Sequence, residues 1–577
     1  MKYLLLCSTP LAASFLVACG GGGDDAPPQP LSCSAAAAFI ATNNTVTGST
    51  LRITKAEDQA ATSTVAAHCL VEGALNERVS SIDGKAYAIK FRMRMPLQSA
   101  WNGKFFYQSV GGTNGVLETG FGLYSGMTTS AFSRNYAVIV ADSGHDNTII
   151  NDPAAGGISA FGRDQQARVD FGYNSYDVVT RIGKAIVNAY YAKPQDKSYF
   201  LSCSDGGRQA VTIAERFPSY FDGIVAGAPA VDIPHMTAYV PHLIQTLGPL
   251  ARASGQLDAN GRPLMNKVYT DGDLQLASNA IMQACDGLDG LTDGISNNLA
   301  ACTDAVVVPQ LNALTCSGAK TESCLTAGQI TALRTAYAGP KNSAGEQVYP
   351  GNPWDPGIGG INNGVFNTGF RAYWFGSYAS PTNNGTKYTS SASAAAMLWK
   401  VPPLALPTAD SYIDYFSTYD IGDTERSVTA TTAVYNESVA SWGMPRLGTL
   451  TGFRARGGKL ISWIGAADPA VGPQATIDWY NGVNARQGGQ ASDFLKLFVV
   501  PGMNHCGGGP ATDKFDMLTA LENWVERGTA PDGMTAEATN PAYFGVASRT
   551  RPLCAYPKYA RYNGTGDVNV AGSFSCQ

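Results

Sequence analysis

Residues 199–218 read YFLSCSDGGRQAVTIAERFP. Tyr199–Ser202 is a short apolar strand. From Asp205 to Phe217 the apolar residues Ala210, Ile213, Ala214 and Phe217 recur at the spacing of one helix face. Pro218 ends that run, because proline cannot continue a helix. The stretch is strand, tight turn, helix, and Ser204 stands on the turn. A nucleophilic serine is presented on such a turn, where small residues are needed two before and two after it. Gly206 meets the second demand, and Ser202 replaces the usual glycine at the first. Ser204 could equally be a plain N-cap of the Asp205–Phe217 helix; the motif alone does not separate the two.

The same alternation extends on both sides. Lys104–Gln108, Tyr136–Ala141 and Gly223–Ala228 read as buried strands, and Tyr173–Tyr191 as a helix. Far downstream, Lys459–Ile464 and Phe494–Val500 read as strands. Phe515–Arg527 reads as a helix with Met517, Leu518, Leu521, Trp524 and Val525 on one face and Gly528 at its end. Strands alternating with helices predict an α/β domain with a mostly parallel sheet. Residues 33–230 form the first part of this core and 451–577 the second. Residues 231–450 lack the alternation, are rich in Ala, Ser, Thr, Asn and Gly, and carry four cysteines. They read as a large inserted lid domain.

With 577 residues the chain has length for more than one domain, and its net charge of -5 and 15% charged residues give no footprint of a nucleic-acid partner. No internal apolar run reaches the length of a membrane-spanning helix. The N-terminus is a targeting segment: Lys2, an apolar stretch, then Leu16-Val17-Ala18-Cys19. The expectation is a lipoprotein-type signal peptide over residues 1–18, a lipid on Cys19 and a flexible tether over 19–32. The protein is then exported, as an outer-membrane or periplasmic lipoprotein or in secreted form.

Removing Cys7 and Cys19 from 12 cysteines leaves 10, an even number that suits disulfides in an exported chain. Sequence neighbours suggest Cys33–Cys69, Cys285–Cys302, Cys316–Cys324 and Cys554–Cys576, which leaves Cys203 and Cys506 for each other. Connectivity is not fixed by sequence. The last pair has a chemical consequence, since Cys203 precedes Ser204 and Cys506 follows His505. Disulfide-linked Cα atoms lie about 5.5 Å apart, so this bond would bring Ser204 and His505 to hydrogen-bonding range.

Of 5 histidines, His235 and His242 fall in the insert, and His505 lies directly after the strand Phe494–Val500, in PGMNHC. In hydrolases that keep the order Ser, Asp, His, the acid lies between Ser204 and His505, after a strand. Asp468 in Gly465-Ala466-Ala467-Asp468-Pro469 fits; Asp478 and Asp493 fit less well. Two backbone N–H groups should hold the oxyanion: Asp205 at the helix N-terminus, and Gly112 in the glycine-rich loop after Lys104–Gln108.

The insert holds Asp286-Gly287-Leu288-Asp289-Gly290-Leu291-Thr292-Asp293-Gly294-Ile295. Three carboxylates without His or Cys suit a structural Ca²⁺, with the carbonyls of Leu291 and Ile295 completing the shell. A solvated acidic turn is the alternative.

Together these residues resemble the tannase and feruloyl esterase family from about Cys33 to Cys576. The most specific likeness is the Cys-Ser/Asp/His-Cys arrangement of Cys203-Ser204, Asp468 and His505-Cys506. Further matches are WNGKFF at 101–106, GTNG at 112–115, SGHD at 143–146, VPGMNHC at 500–506 and RTRPLC at 549–554. The resemblance implies an α/β-hydrolase core, a lid with bound Ca²⁺, and an aromatic acid ester as substrate. Within the family the likeness is nearest to hydrolases of terephthalate monoesters, which release terephthalate and ethylene glycol from mono(2-hydroxyethyl) terephthalate. There a lid arginine grips the free carboxylate and aromatic residues flank the ring; the matching positions are Lys387, Tyr373, Ser391 and Val471, all of them departures. Lysine keeps the charge and loses the planar fork. The expected protein is a monomeric serine esterase acting on a small aromatic ester. The alternatives are a feruloyl esterase or tannase acting on plant esters, and a non-catalytic, calcium-stabilised surface binding protein.

Overall fold

The computed structural model describes residues 29–44, 46–123, 127, 129–359 and 369–577. The signal peptide, Cys19 and most of the tether lie outside the described residues. Ser32 caps the first helix, Cys33–Thr42, by accepting the Ala35 N–H at 3.2 Å.

Nine strands build one sheet in the order β1-β2-β3-β5-β4-β6-β7-β8-β9. They are β1 (Leu51–Gln59), β2 (His68–Val79), β3 (Ala86–Pro96), β4 (Lys104–Gln108), β5 (Ala137–Ala141), β6 (Lys197–Cys203), β7 (Gly223–Gly227), β8 (Lys459–Gly465) and β9 (Leu495–Val500). From β5 across to β9 every pairing is parallel. β5, β6, β7 and β8 are buried almost end to end, as expected for strands with helices over both faces. The helix Ser175–Tyr191 packs on β3, β4 and β5, and Asp205–Arg216 packs on β6 and β7.

The sheet is less uniform than the α/β alternation predicts. β1, β2 and β3 form an antiparallel meander joined to β5. Tyr173 and Asn174 belong to a π-helical turn, Asp170–Asn174, ahead of the predicted helix. The last long helix runs Met517–Arg527 and starts two residues late, because Asp516 caps it by accepting the Thr519 N–H at 3.0 Å.

Between β7 and β8 the described residues hold helices and turns and no strand. The first part of this insert builds its own apolar core around Leu243, Leu247, Ile281, Leu333 and Trp374. Its later part, with Trp399, Trp442 and Met444, joins the main core. Among the described residues five disulfides close Cys33–Cys69, Cys203–Cys506, Cys285–Cys302, Cys316–Cys324 and Cys554–Cys576. That number of cross-links suits a chain that matures in an oxidising compartment. No helix among the described residues is long and apolar enough to cross a membrane.

Candidate active site

β4, β6, β8 and β9 run parallel, so their carboxyl ends share one edge of the sheet, where open α/β sheets place their sites. Ser204 follows β6 directly. It adopts φ 67 and ψ -128, a conformation costly for a residue with a side chain. Its hydroxyl caps nothing in the following helix, which removes the N-cap alternative. The backbone fixes the turn instead: Ser204 N–H donates to Gly227 O at 2.9 Å.

Why the turn tolerates Ser202 is visible in what surrounds Gly206. A Cβ there would lie 2.6 Å from Ser202 Cβ and 3.2 Å from Val110 O, so position 206 must be glycine while position 202 carries a side chain. Asp205 is buried and locks the first helical turn, its carboxylate accepting Arg208 Nε–H at 2.6 Å and Gln209 Nε2–H at 2.7 Å.

His505 reaches both partners. Its Nε2 lies 2.8 Å from Ser204 Oγ and its Nδ1 lies 2.8 Å from Asp468 Oδ2. Asp468 is fully buried, and its Oδ1 accepts the N–H groups of Ala470 at 2.8 Å and Val471 at 3.0 Å. With Oδ1 occupied by backbone, Oδ2 is the atom left for the imidazole. The acid and histidine loops also pair with each other, Ala467 N–H donating to Met503 O at 3.1 Å. The Cys203–Cys506 bond, with Cα atoms 6.2 Å apart, ties the serine turn to the histidine loop.

The glycine-rich loop after β4 packs against the nucleophile. A Cβ on Gly111 would sit 3.1 Å from Ser204 Cβ. Gly112, the next residue, has φ +66 and open space where a side chain would be. Behind the loop, Asn114 Nδ2–H donates to Ser143 Oγ at 2.7 Å.

The four positions proposed for substrate contact are placed differently. Tyr373 is half-buried with its ring edge-on to His505, centroids 5.6 Å apart. Val471 is buried within the acid loop. Lys387 is only 3% exposed, and its Nζ donates to Ala470 O at 3.1 Å. Its ammonium is therefore engaged by the protein, where a free carboxylate-gripping cation was expected. Burial pushes it down to about 8, although Asp468 opposes the shift. Ser391 is half-buried on the helix Ser390–Met397, and makes no hydrogen bond to Ser204, Asp468 or His505 among the described residues.

The acidic loop is folded on itself. Asp286 accepts the N–H groups of Asp293 and Gly294, and Asp289 accepts those of Leu291 and Asn297. Burial raises both carboxyls, and the like charge of Asp293 adds to each shift. Asp293 itself pairs with Arg551, and its carbonyl accepts Arg549 Nη1–H at 2.5 Å. The carbonyl of Ile295 lies 3.5 Å from Asn297 Nδ2, and Ile295 is buried. Among the described residues no three His, Cys, Asp or Glu side chains gather in a metal-binding group. Of the three carboxylates expected from sequence, Asp293 lies against Arg551, while Asp286 and Asp289 have no arginine ion pair among the described residues. Nothing in the local sequence pointed to that partner, which lies more than 250 positions away.

Comparison with known proteins agrees with the fold. Residues 69–577 match the model of the tannase and feruloyl esterase family. The chain is 46% identical over 517 residues to mono(2-hydroxyethyl) terephthalate hydrolase of Piscinibacter sakaiensis, covering 88% of this chain and 84% of that one. It is 30% identical to a probable feruloyl esterase of Arthroderma benhamiae, covering 84% and 81%. The crystal structure of feruloyl esterase B from Aspergillus oryzae superposes with a TM-score of 0.71 at 22% identity, covering 95% of this chain and all of that one. With a family model spanning 69–577 and relatives alike over most of their length, the chain belongs to the tannase and feruloyl esterase family of ester hydrolases.

Proposed function

We propose that this protein hydrolyses esters of aromatic acids, of the kind exemplified by mono(2-hydroxyethyl) terephthalate, by two-step acyl transfer through Ser204. The observation that carries the reading is the unbroken line Ser204 Oγ, His505 Nε2, His505 Nδ1, Asp468 Oδ2, with 2.8 Å at each junction. His505 takes the hydroxyl proton as Oγ attacks the ester carbonyl. Asp468 accepts Nδ1–H, which leaves Nε2 as the base and stabilises the imidazolium once formed. The N–H groups of Gly112 and Asp205 hold the oxyanion. The alcohol leaves with the proton from His505, and water activated by the same imidazole releases the acid.

The identity to the terephthalate monoester hydrolase supports that substrate class. Tyr373 supplies an aromatic wall beside His505. A feruloyl or galloyl ester is the second reading. The bond from Lys387 to Ala470 O favours it, since a buried ammonium already held by the protein is less available to a second carboxylate.

The insert from 231 to 450 acts as the lid. Its acidic loop holds a structural Ca²⁺ through Asp286, Asp289 and the carbonyls of Leu291 and Ile295. Two buried carboxylates beside loop carbonyls are a hard-oxygen donor set whose like charges a divalent cation would relieve. The ion would rigidify the loop and takes no part in acyl transfer. The mature enzyme is a monomer, exported and anchored by lipid on Cys19.

Ser204→Ala tests the central reading. It should abolish hydrolysis of the terephthalate monoester, methyl ferulate and methyl gallate alike while leaving the melting temperature near that of the wild type. Retained turnover would overturn it. The ranking of the three esters by kcat/KM on the wild type decides between the substrate readings.

A further inference from the structure

The disulfide Cys203–Cys506 ties serine to histidine, and no disulfide reaches the acid loop, residues 468–471. This loop is held in another way. Inside the turn Asp468 Oδ1 accepts two N–H groups. The three carbonyls that follow are each taken by one side chain of the insert. Trp374 Nε1–H donates to Pro469 O at 2.8 Å, Lys387 Nζ donates to Ala470 O at 3.1 Å, and the Tyr349 hydroxyl donates to Val471 O. All three donors are buried, at 0%, 3% and 2% exposure. They come from separate places: a loop, the turn Arg371–Phe375 and the turn Thr386–Tyr388. The insert also reaches the histidine loop. Asp355 accepts Gly502 N–H at 3.0 Å and Gly357 N–H at 2.8 Å, one on each carboxylate oxygen.

Lys387 is the informative member. A carbonyl asks only for a neutral donor, and an ammonium is costly to bury. Asp468 is the charged group that acts on it, and the ring of Tyr239 lies 5.8 Å from Nζ. Beyond Asp468 stands His505, flanked by Tyr373. Tyr349, bound to the same loop, feels Asp232, Arg446, Tyr239 and Asp468. A cation here stabilises the Asp468 carboxylate and competes with the imidazolium for it.

We propose that the insert is part of the catalytic apparatus, that Trp374, Lys387 and Tyr349 clamp the acid loop in its working conformation, and that Lys387 is a positioning residue for the Asp468–His505 pair and does not grip a substrate carboxylate. The proposal rests on Ser204, His505 and Asp468 acting as the triad.

The test uses the full mature chain with Lys387→Met, Lys387→Arg, Trp374→Phe and Tyr349→Phe. Two esters are compared, methyl ferulate without a second carboxylate and mono(2-hydroxyethyl) terephthalate with one. Lys387→Met should lower kcat about tenfold on both with KM changed less than twofold, a loss made only in the transition state. The acidic limb of its kcat/KM profile should move to higher pH, since Asp468 is left to stabilise the imidazolium alone. Lys387→Arg should restore most of the rate and the limb. Trp374→Phe and Tyr349→Phe, which each remove one donor and leave an aromatic ring in place, should lower kcat on both esters without moving the limb. A KM increase confined to the terephthalate ester would overturn the proposal in favour of a carboxylate grip. If Lys387→Met does not fold, unchanged kcat in both aromatic variants overturns it. Labelling of Ser204 by a fluorophosphonate separates the two levels. A labelled wild type with unaffected variants sinks the clamp alone, and an unlabelled wild type sinks the triad reading and the clamp with it.

Discussion

Cys506, the neighbour of His505, is bonded to Cys203, the neighbour of Ser204, across 303 positions of sequence. The base and the nucleophile are thereby held by covalent geometry, with φ 60 at Cys506 and 67 at Ser204. Two unfavourable backbone conformations flank one cross-link, and the serine hydroxyl meets the imidazole at 2.8 Å. Such strain persists only where the surroundings over-determine it.

Replacing both cysteines, Cys203→Ser with Cys506→Ser, should therefore cost function as well as stability. Loss of the cross-link should lower stability by about 2–5 kcal/mol. Looser placement of His505 should lower kcat by up to about 100-fold. Thermal unfolding and steady-state kinetics on one ester read both. A variant with the predicted stability loss and full kcat would show that the bond serves the fold alone.

Asp468→Asn should be more damaging to rate than to stability. The amide can keep the Ala470 and Val471 N–H bonds through its oxygen. Its Nδ2 then faces His505 Nδ1 as a donor and forces the wrong tautomer, so kcat should fall on the order of 10⁴-fold. The double variant with Ser204→Ala should be no worse than Ser204→Ala alone, because members of one triad are not additive.

The elbow can be probed from its steric side. Gly206→Ala puts a methyl 2.6 Å from Ser202 Cβ, and overpacking of this kind costs about 1–3 kcal/mol. Ser202→Gly removes that neighbour, and Ser202 Oγ makes no hydrogen bond that would be lost. The double variant should then regain most of the stability and activity lost in Gly206→Ala. Failure of that rescue would place the constraint at the Val110 carbonyl.

These elements differ in how far local sequence could reveal them. β5, β6, β7 and β8 are buried on both faces, so each is built around a short apolar run, and the catalytic loops follow β6, β8 and β9. Ser204, Asp468 and His505 were legible for that reason. β1 was not, because Leu51–Gln59 is half exposed along its length and carries Arg52, Lys55, Glu57 and Asp58. Its pairing with β2 is set by tertiary contacts. The donors to the acid loop were invisible for another reason. Trp374, Lys387 and Tyr349 lie 83 to 122 positions from the carbonyls they meet, with no periodicity linking them. Lys387 was matched to a substrate-binding role, and only the geometry shows its ammonium on Ala470 O.

Buried carboxyls predict a pH dependence of stability. Burial raises Asp355 to about 6, even though Gly357 and Gly502 donate to it. Between its ordinary value of 3.8 and about 6 the folded state holds this proton more tightly than the unfolded chain. The Asp355 contribution is therefore favourable below that window and lost as pH rises through it. Asp355→Asn should flatten this part of the stability curve relative to the wild type between pH 4 and 6. It also gives up one of the two N–H bonds, so kcat should fall as the histidine loop loosens at Gly502. Denaturant midpoints at several pH values check the slope, and an unchanged slope would mean that Asp355 is ionised throughout.

The acidic loop yields the last test. Asp286 and Asp289 are buried side by side in one loop, so a divalent cation held by their carboxylates would offset their like charge and stabilise the fold. Added Ca²⁺ at about 100 times its dissociation constant should raise stability by about 2.7 kcal/mol, and a chelator should reverse the gain. Asp289→Asn should remove the response with kcat nearly intact, since the loop lies outside the acyl-transfer chemistry. Arg551→Met frees Asp293 from its ion pair and adds a third carboxylate to the loop. Calcium affinity should then rise, because each added carboxylate strengthens a hard-oxygen site. Isothermal titration of the chelated protein measures the affinity directly. An Arg551→Met variant that binds no more tightly than the wild type would show that Asp293 already serves the ion despite its arginine partner.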